Sequence, residues 1–94
     1  MIIKIADKEY TLKYNNKSFF KIEKELNIGV IKLFQTPSEL EKMNTIFVIV
    51  HSGIVEDVSF DDFCEDADLN ELTKILPDVL SKVTEAFSTG SKKK

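Results

Sequence analysis

The sequence predicts an α+β domain: an N-terminal β-hairpin packed on a small bundle of about four helices. Three observations predict it. Alternating apolar residues fill the first fourteen positions, with Ile3 and Ile5 around Lys4, and Tyr10, Leu12 and Tyr14 around Thr11 and Lys13. That is the period-two pattern of a half-buried hairpin. From Lys17 onward the apolar residues recur at helical spacing. The length, 94 residues, suits one domain. Residues 1–88 read as that domain and 89–94 as a disordered basic tail.

Strands are expected over residues 2–6 and 9–14, joined by a turn at Asp7-Lys8. A first helix is expected over Lys17 to Asn27, capped by Asn15, Asn16 or Ser18, with Phe19, Ile22 and Leu26 on its inner face. Gly29 stands where a helix end favours a left-handed residue. Val30 to Gln35 suits a short helical turn. Thr36-Pro37-Ser38-Glu39 has the form of a capping box with proline at the first helical position. The helix it opens would carry Leu40, Met43, Phe47 and Val50 on one stripe and stop near Ser52-Gly53.

Val48 and Ile49 point off that stripe, so this helix is either covered all round or exposed to a partner on one side; burial is the preferred reading. Ser59 caps a short helix through about Glu65. Asp68, with Glu71 three residues on, caps a last helix whose apolar face includes Leu69, Leu72, Ile75, Leu76, Val79, Leu80, Val83 and Phe87. Pro77 lies inside it and should kink or split it, since it removes one backbone hydrogen bond.

Composition narrows the function. The net charge is −3 and all 13 basic residues are lysine. Arginine is the preferred fork for guanine edges and phosphates; its absence from an acidic chain argues against nucleic-acid binding. One cysteine, Cys64, makes no internal disulfide and reads as a small apolar residue on a short helix. The N-terminus is too soon charged for a signal segment, and the run Ile46–Val50 is far shorter than the ~20 residues of a membrane span. A cytoplasmic, membrane-free protein is expected.

No catalytic constellation is evident. His51, the only histidine, sits at a helix end, where its cation suits the helix dipole or its ring fills space. No partner is positioned to make it a general base. Eight acids fall between Glu56 and Glu71 with no lysine among them. Asp66-x-Asp68-x-Asn70 imitates the start of a calcium loop, but Glu71 stands where the loop needs glycine and Pro77 where it needs its last acid. These acids are read as helix-terminal charges, each favourable by ~0.3–1 kcal/mol. No metal and no cofactor are expected. Phe20 lies about 100° off the inner stripe of the first helix. It either packs on the hairpin or, with Ile49, forms a partner-binding contact and a route to weak self-association.

The order of parts resembles the small tail assembly chaperones of long-tailed bacteriophages. The opening Met1-Ile2-Ile3-Lys4-Ile5 with Lys8-Glu9-Tyr10-Thr11-Leu12-Lys13-Tyr14 is followed by the Lys/Glu-rich helix Phe19 to Leu26. Gly29, the apolar helix Ile46 to Gly53, and the acidic and amphipathic helices from Ser59 to Phe87 complete the likeness. The resemblance implies a non-enzymatic protein. It would bind the tape-measure protein, and through it meet the tail-tube protein, keeping the former soluble while the tube polymerises. It also implies a longer product made by frameshifting, for which the terminal lysine codons would supply the slippery message. Two other readings remain at this point: a structural phage component, such as a connector or tail-completion protein, and a small acidic regulatory protein.

Overall fold

A computed structural model describes residues 1–92, with side-chain surroundings through residue 86. Strands β1 (Ile2–Ile5) and β2 (Lys8–Thr11) form the antiparallel hairpin, in the register Ile3 opposite Tyr10 and Ile5 opposite Lys8. Ile3, Ile5, Tyr10 and Leu12 turn into the core. The turn is Ala6-Asp7 rather than Asp7-Lys8. Both residues have positive φ, 51° and 65°, the requirement of the two-residue turn whose twist matches the strands. Alanine in this region costs about 1–2 kcal/mol. Ala6→Asn with Asp7→Gly is therefore expected to stabilise the protein by about 1 kcal/mol. Urea melts should show a higher midpoint at an unchanged slope; no shift would mean that the turn adopts another geometry in solution.

A third extended stretch, absent from the sequence reading, flanks the other side of β2. Lys13 N–H donates to the Gly53 carbonyl at 2.8 Å, and Val55 N–H to the Thr11 carbonyl at 2.9 Å, with Leu12 bridging Ile54.

Helix α1 (Asn16–Leu26) is capped by Asn15, whose side chain accepts from Ser18 N–H at 3.2 Å while the Ser18 hydroxyl accepts from Asn15 N–H at 3.3 Å. Its end corrects the expectation at Gly29: the left-handed residue is Asn27, φ 55°. Asparagine, like glycine, enters this region readily. Gly29 instead precedes α2 (Val30–Phe34) in an extended conformation, and the Glu23 carboxylate caps that helix by accepting from Val30 N–H at 2.9 Å.

The capping box at Thr36 does not form. The Thr36 hydroxyl donates back to the Lys32 carbonyl at 2.9 Å, and Pro37–Glu41 makes only a 3-10 turn. Lys42 is extended, and α3 (Met43–Gly53) starts after it with no side-chain cap. Burial rather than capping defines this helix. Every residue from Thr45 to Gly53 is buried, and α3 packs on α1, α4 and α5. Central burial is the outcome here, and it removes Ile49 from the candidate contacts: Ile49 is 0% exposed.

Gly53, the last residue of α3, has no room for a side chain. A Cβ built there would overlap the Tyr14 ring, whose hydroxyl donates to the Ile49 carbonyl at 2.8 Å. Burial pushes the Tyr14 phenol well above its ordinary pKa, so it donates at every physiological pH. Gly53→Ala is expected to cost about 1–3 kcal/mol by overpacking. A thermal melt with an unchanged midpoint would show that Tyr14 moves aside freely.

Ser59 caps α4 (Phe60–Asp66) by accepting from Asp62 N–H at 3.1 Å. The last helix, α5 (Leu69–Lys92), opens with the Asp68 carboxylate accepting from Asn70 N–H at 3.4 Å. It runs through Pro77 without being split. Pro77 is exposed, so the carbonyl it leaves unbonded one turn back lies on the solvent side. The helix also enters the segment expected as a tail, reaching Lys92; the tail's last two lysines, 93 and 94, lie outside the described residues.

Candidate protein-binding surface

Three of the eight acids between Glu56 and Glu71 tie the hairpin to the α3–α4 loop, to α4 and to α5. Glu56 accepts from Thr11 N–H at 2.8 Å, Asp66 pairs with Lys8 at 2.8 Å, and Glu71 accepts from Ala6 N–H at 3.4 Å. The bond from Thr11 holds the Glu56 carboxyl below its ordinary range, and Asp66 raises the Lys8 ammonium. The sequence placed these acids only at helix ends. Their second role depends on the hairpin lying across α4 and α5, which no local spacing reveals. Asp66 pairs with Lys8, and the Asp68 carboxylate turns to the first turn of α5. Among the described residues no group of three His, Cys, Asp or Glu side chains could hold a metal ion.

Of the other five, Asp68 lines a cleft of about 430 Å³ between the start of α3, α4 and the start of α5, and Asp61 lies near Cys64, which also lines it. Phe60, Cys64 and Ala67 line it from α4 at i, i+4, i+7, the spacing of one helix face. Phe47 and Leu69 close its sides, Asp68 lies on its wall, and Met43 at its mouth is 57% exposed.

His51 takes no part in the cleft. Its ring is buried, Nε2 donates to the Val58 carbonyl at 2.7 Å, and Phe60 and Phe63 flank it at centroid distances of 5.4 and 5.6 Å. It is a hydrogen-bonded core residue that fixes the loop before α4.

Cys64 lies on the short helix expected for it, and it is exposed there. Partial burial in the cleft, with Asp61 nearby, raises its thiol pKa. The thiolate is the reacting species, so at any pH below the thiol's pKa Cys64 should alkylate more slowly than a free cysteine. Its pH–rate midpoint should lie above that of an unstructured cysteine peptide. A midpoint at or below the peptide's would contradict this surrounding of the thiol.

Of the two contacts singled out from sequence, Phe20 is 68% exposed on α1 and Ile49 is in the core. Phe20 does not pack on the hairpin. Ile2, Ile31 and Val55 are the other large apolar residues most open to solvent. Another, smaller cleft collects Lys13, Lys17 and Lys21 beside the start of α1 and the end of α3. Lysines thus gather at the start of α1, and acids around α4. No helix among the described residues is long and apolar enough to cross a membrane. Comparisons with protein families, curated proteins and solved structures gave no match to this chain.

Proposed function

We propose that this chain is a protein-binding module, not an enzyme, and that it serves as a phage tail assembly chaperone in the host cytoplasm. It would hold apolar helical stretches of the tape-measure protein until tail-tube protein encloses them. One observation carries the binding reading: an open apolar cleft between three helices, with Met43 presented at its mouth. Grooves of this kind take an amphipathic helix through anchors at i, i+3 or i+4, and i+7. The chaperone reading adds the order of parts, from hairpin to lysine/glutamate helix to apolar helix to acidic helix, which resembles that of the small tail assembly chaperones. Weak self-association through exposed Phe20 accompanies the reading.

Co-expression with a fragment of a tape-measure protein tests it. The fragment should stay in the soluble fraction with this protein and pellet without it. Equal pelleting in both would remove the chaperone role. Mass spectrometry of purified particles separates a chaperone, absent from finished tails, from a connector or tail-completion protein, present in stoichiometric amount.

A further inference from the structure

We infer that the cleft between α3, α4 and the start of α5 is the partner-binding seat, and that its occupant is a lysine- or arginine-bearing amphipathic helix of another protein. The inference rests on the reading of the chain as a protein-binding module and specifies the chemistry of its partner. Apolar lining alone would leave the occupant open. The charge around it does not. From Met43 to Thr73 the chain contains no lysine or arginine and eight acids.

Three of those acids, Glu56, Asp66 and Glu71, are engaged by the hairpin. Asp68, which lines the cleft, and Asp61, near Cys64, have no ion pair among the described residues. Lys42, the nearest lysine in sequence to Met43, is taken by Glu39 at 3.1 Å. Unpaired charge of one sign around a low-dielectric hollow focuses potential into it and selects a cationic partner. An acidic amphipathic helix would bury the same apolar area against repulsion, and a neutral one without the attraction.

The dimensions suit a helix rather than a small molecule. The volume lies within the ~300–1,000 Å³ of binding pockets, but the hollow is open along α4 and offers anchoring positions one and two helical turns apart at Phe60, Cys64 and Ala67. Met43 adds an unbranched, polarisable side chain that adapts to different anchors. Buried Phe47 and half-buried Leu69 hold its sides.

Cys64 supplies a native probe, because it is the only cysteine and lines the cleft. The test uses the full chain and three synthetic amphipathic peptides: one with leucines at helical spacing flanked by lysines, one with glutamates in place of the lysines, and one with the lysine peptide's composition scrambled. Binding is read by anisotropy of the labelled peptide, and occupancy by the rate of Cys64 alkylation. The lysine peptide should bind, slow the alkylation of Cys64, and bind at least about tenfold more weakly when salt rises from low to high. The glutamate and scrambled peptides should do neither. Met43→Glu and the pair Asp61→Lys with Glu65→Lys change only exposed side chains. Each should reduce binding about tenfold or more, with circular-dichroism melts confirming the fold.

Binding of the glutamate peptide as tightly as the lysine peptide overturns the inference. So does lysine-peptide binding that leaves Cys64 fully reactive. Cys64 protection that grows with protein concentration alone, and disappears in Phe20→Ser, would instead make α1 of a second copy the occupant, and also overturns it. A tape-measure fragment kept soluble equally by wild type and Met43→Glu would preserve the chaperone reading while removing this seat. A fragment that pellets, beside peptide binding that protects Cys64, would do the reverse.

Discussion

Phe63→Ala is expected to lower folding stability by about 3–5 kcal/mol, the range for deleting a large buried aromatic. Phe63 is 0% exposed. Its ring meets Tyr10 from the hairpin and Phe47 from α3 edge-on, each at a centroid distance of 6.1 Å, and lies against His51 at 5.6 Å. One side chain on a seven-residue helix thus joins the hairpin, the central helix and the His51 loop. A domain of about this size has a total stability of roughly 5–14 kcal/mol, so the variant should be largely unfolded at moderate urea. Near-neutral behaviour in denaturant melts would mean that α4 is not docked on the core in solution, and the cleft it walls would not exist. The same measurement therefore bears on the fold and on the proposed seat. Phe60→Ala, on the half-buried side of α4, should cost less and should affect binding more.

The second large effect is expected at Leu72. Leu72→Ala should cost about 2–5 kcal/mol, because the residue is 0% exposed and its removal leaves a cavity beneath α5. Leu76 and Leu80, which look equivalent in the sequence, are only half-buried. Their alanine variants should each cost less than Leu72→Ala. Chemical denaturation of the three variants checks the order. If Leu76→Ala or Leu80→Ala proved the most costly, α5 would be rotated about its axis relative to the arrangement described.

The apolar stripe of α5 is too broad for its period to rank its members. Leu69, Leu72, Ile75, Leu76, Val79, Leu80 and Val83 span most of a helix face, and α3 and β1 together cover only part of that face. The partner helix selects Leu72, Val79 and Val83 as the innermost. A similar limit explains the capping box at Thr36. Its residues favour a helix start, yet the segment gains more from letting α3 begin at Met43 and bury Thr45 to Gly53. Capping is worth ~1 kcal/mol, and burying several large apolar side chains contributes about 1.5–3 kcal/mol each.

The candidate seat was divided in the same way. Met43, Phe47 and Leu69 were each visible as members of helical stripes, and Phe60 stood beside the Ser59 cap. The acids were visible as a run without lysine. Nothing local showed that these residues meet, because they come from three helices and a contact between them is set by how α4 folds back on α3. Ile49 and Phe20 illustrate the converse. Both lie off an inner stripe, and only the tertiary arrangement separates them: α3 is covered all round from Thr45 to Gly53, whereas Phe20 on α1 faces solvent.

By itself the sequence determined the period of each segment, and with it the hairpin, the order of the helices, the Ser59 cap and the alternation that turns Ile3, Ile5, Tyr10 and Leu12 inward. These are local matters, decided by side-chain direction along a strand or around a helix and by hydrogen bonds within three or four residues. The tertiary structure decided which apolar residues are covered, where Gly53 must leave room for Tyr14, how Glu56, Asp66 and Glu71 clamp the hairpin, and that Met43, Phe60, Cys64 and Leu69 share one hollow. Each of these depends on groups far apart in the chain. Their proximity follows from the simultaneous burial of several helices, a property of the whole packing that no single segment's pattern contains.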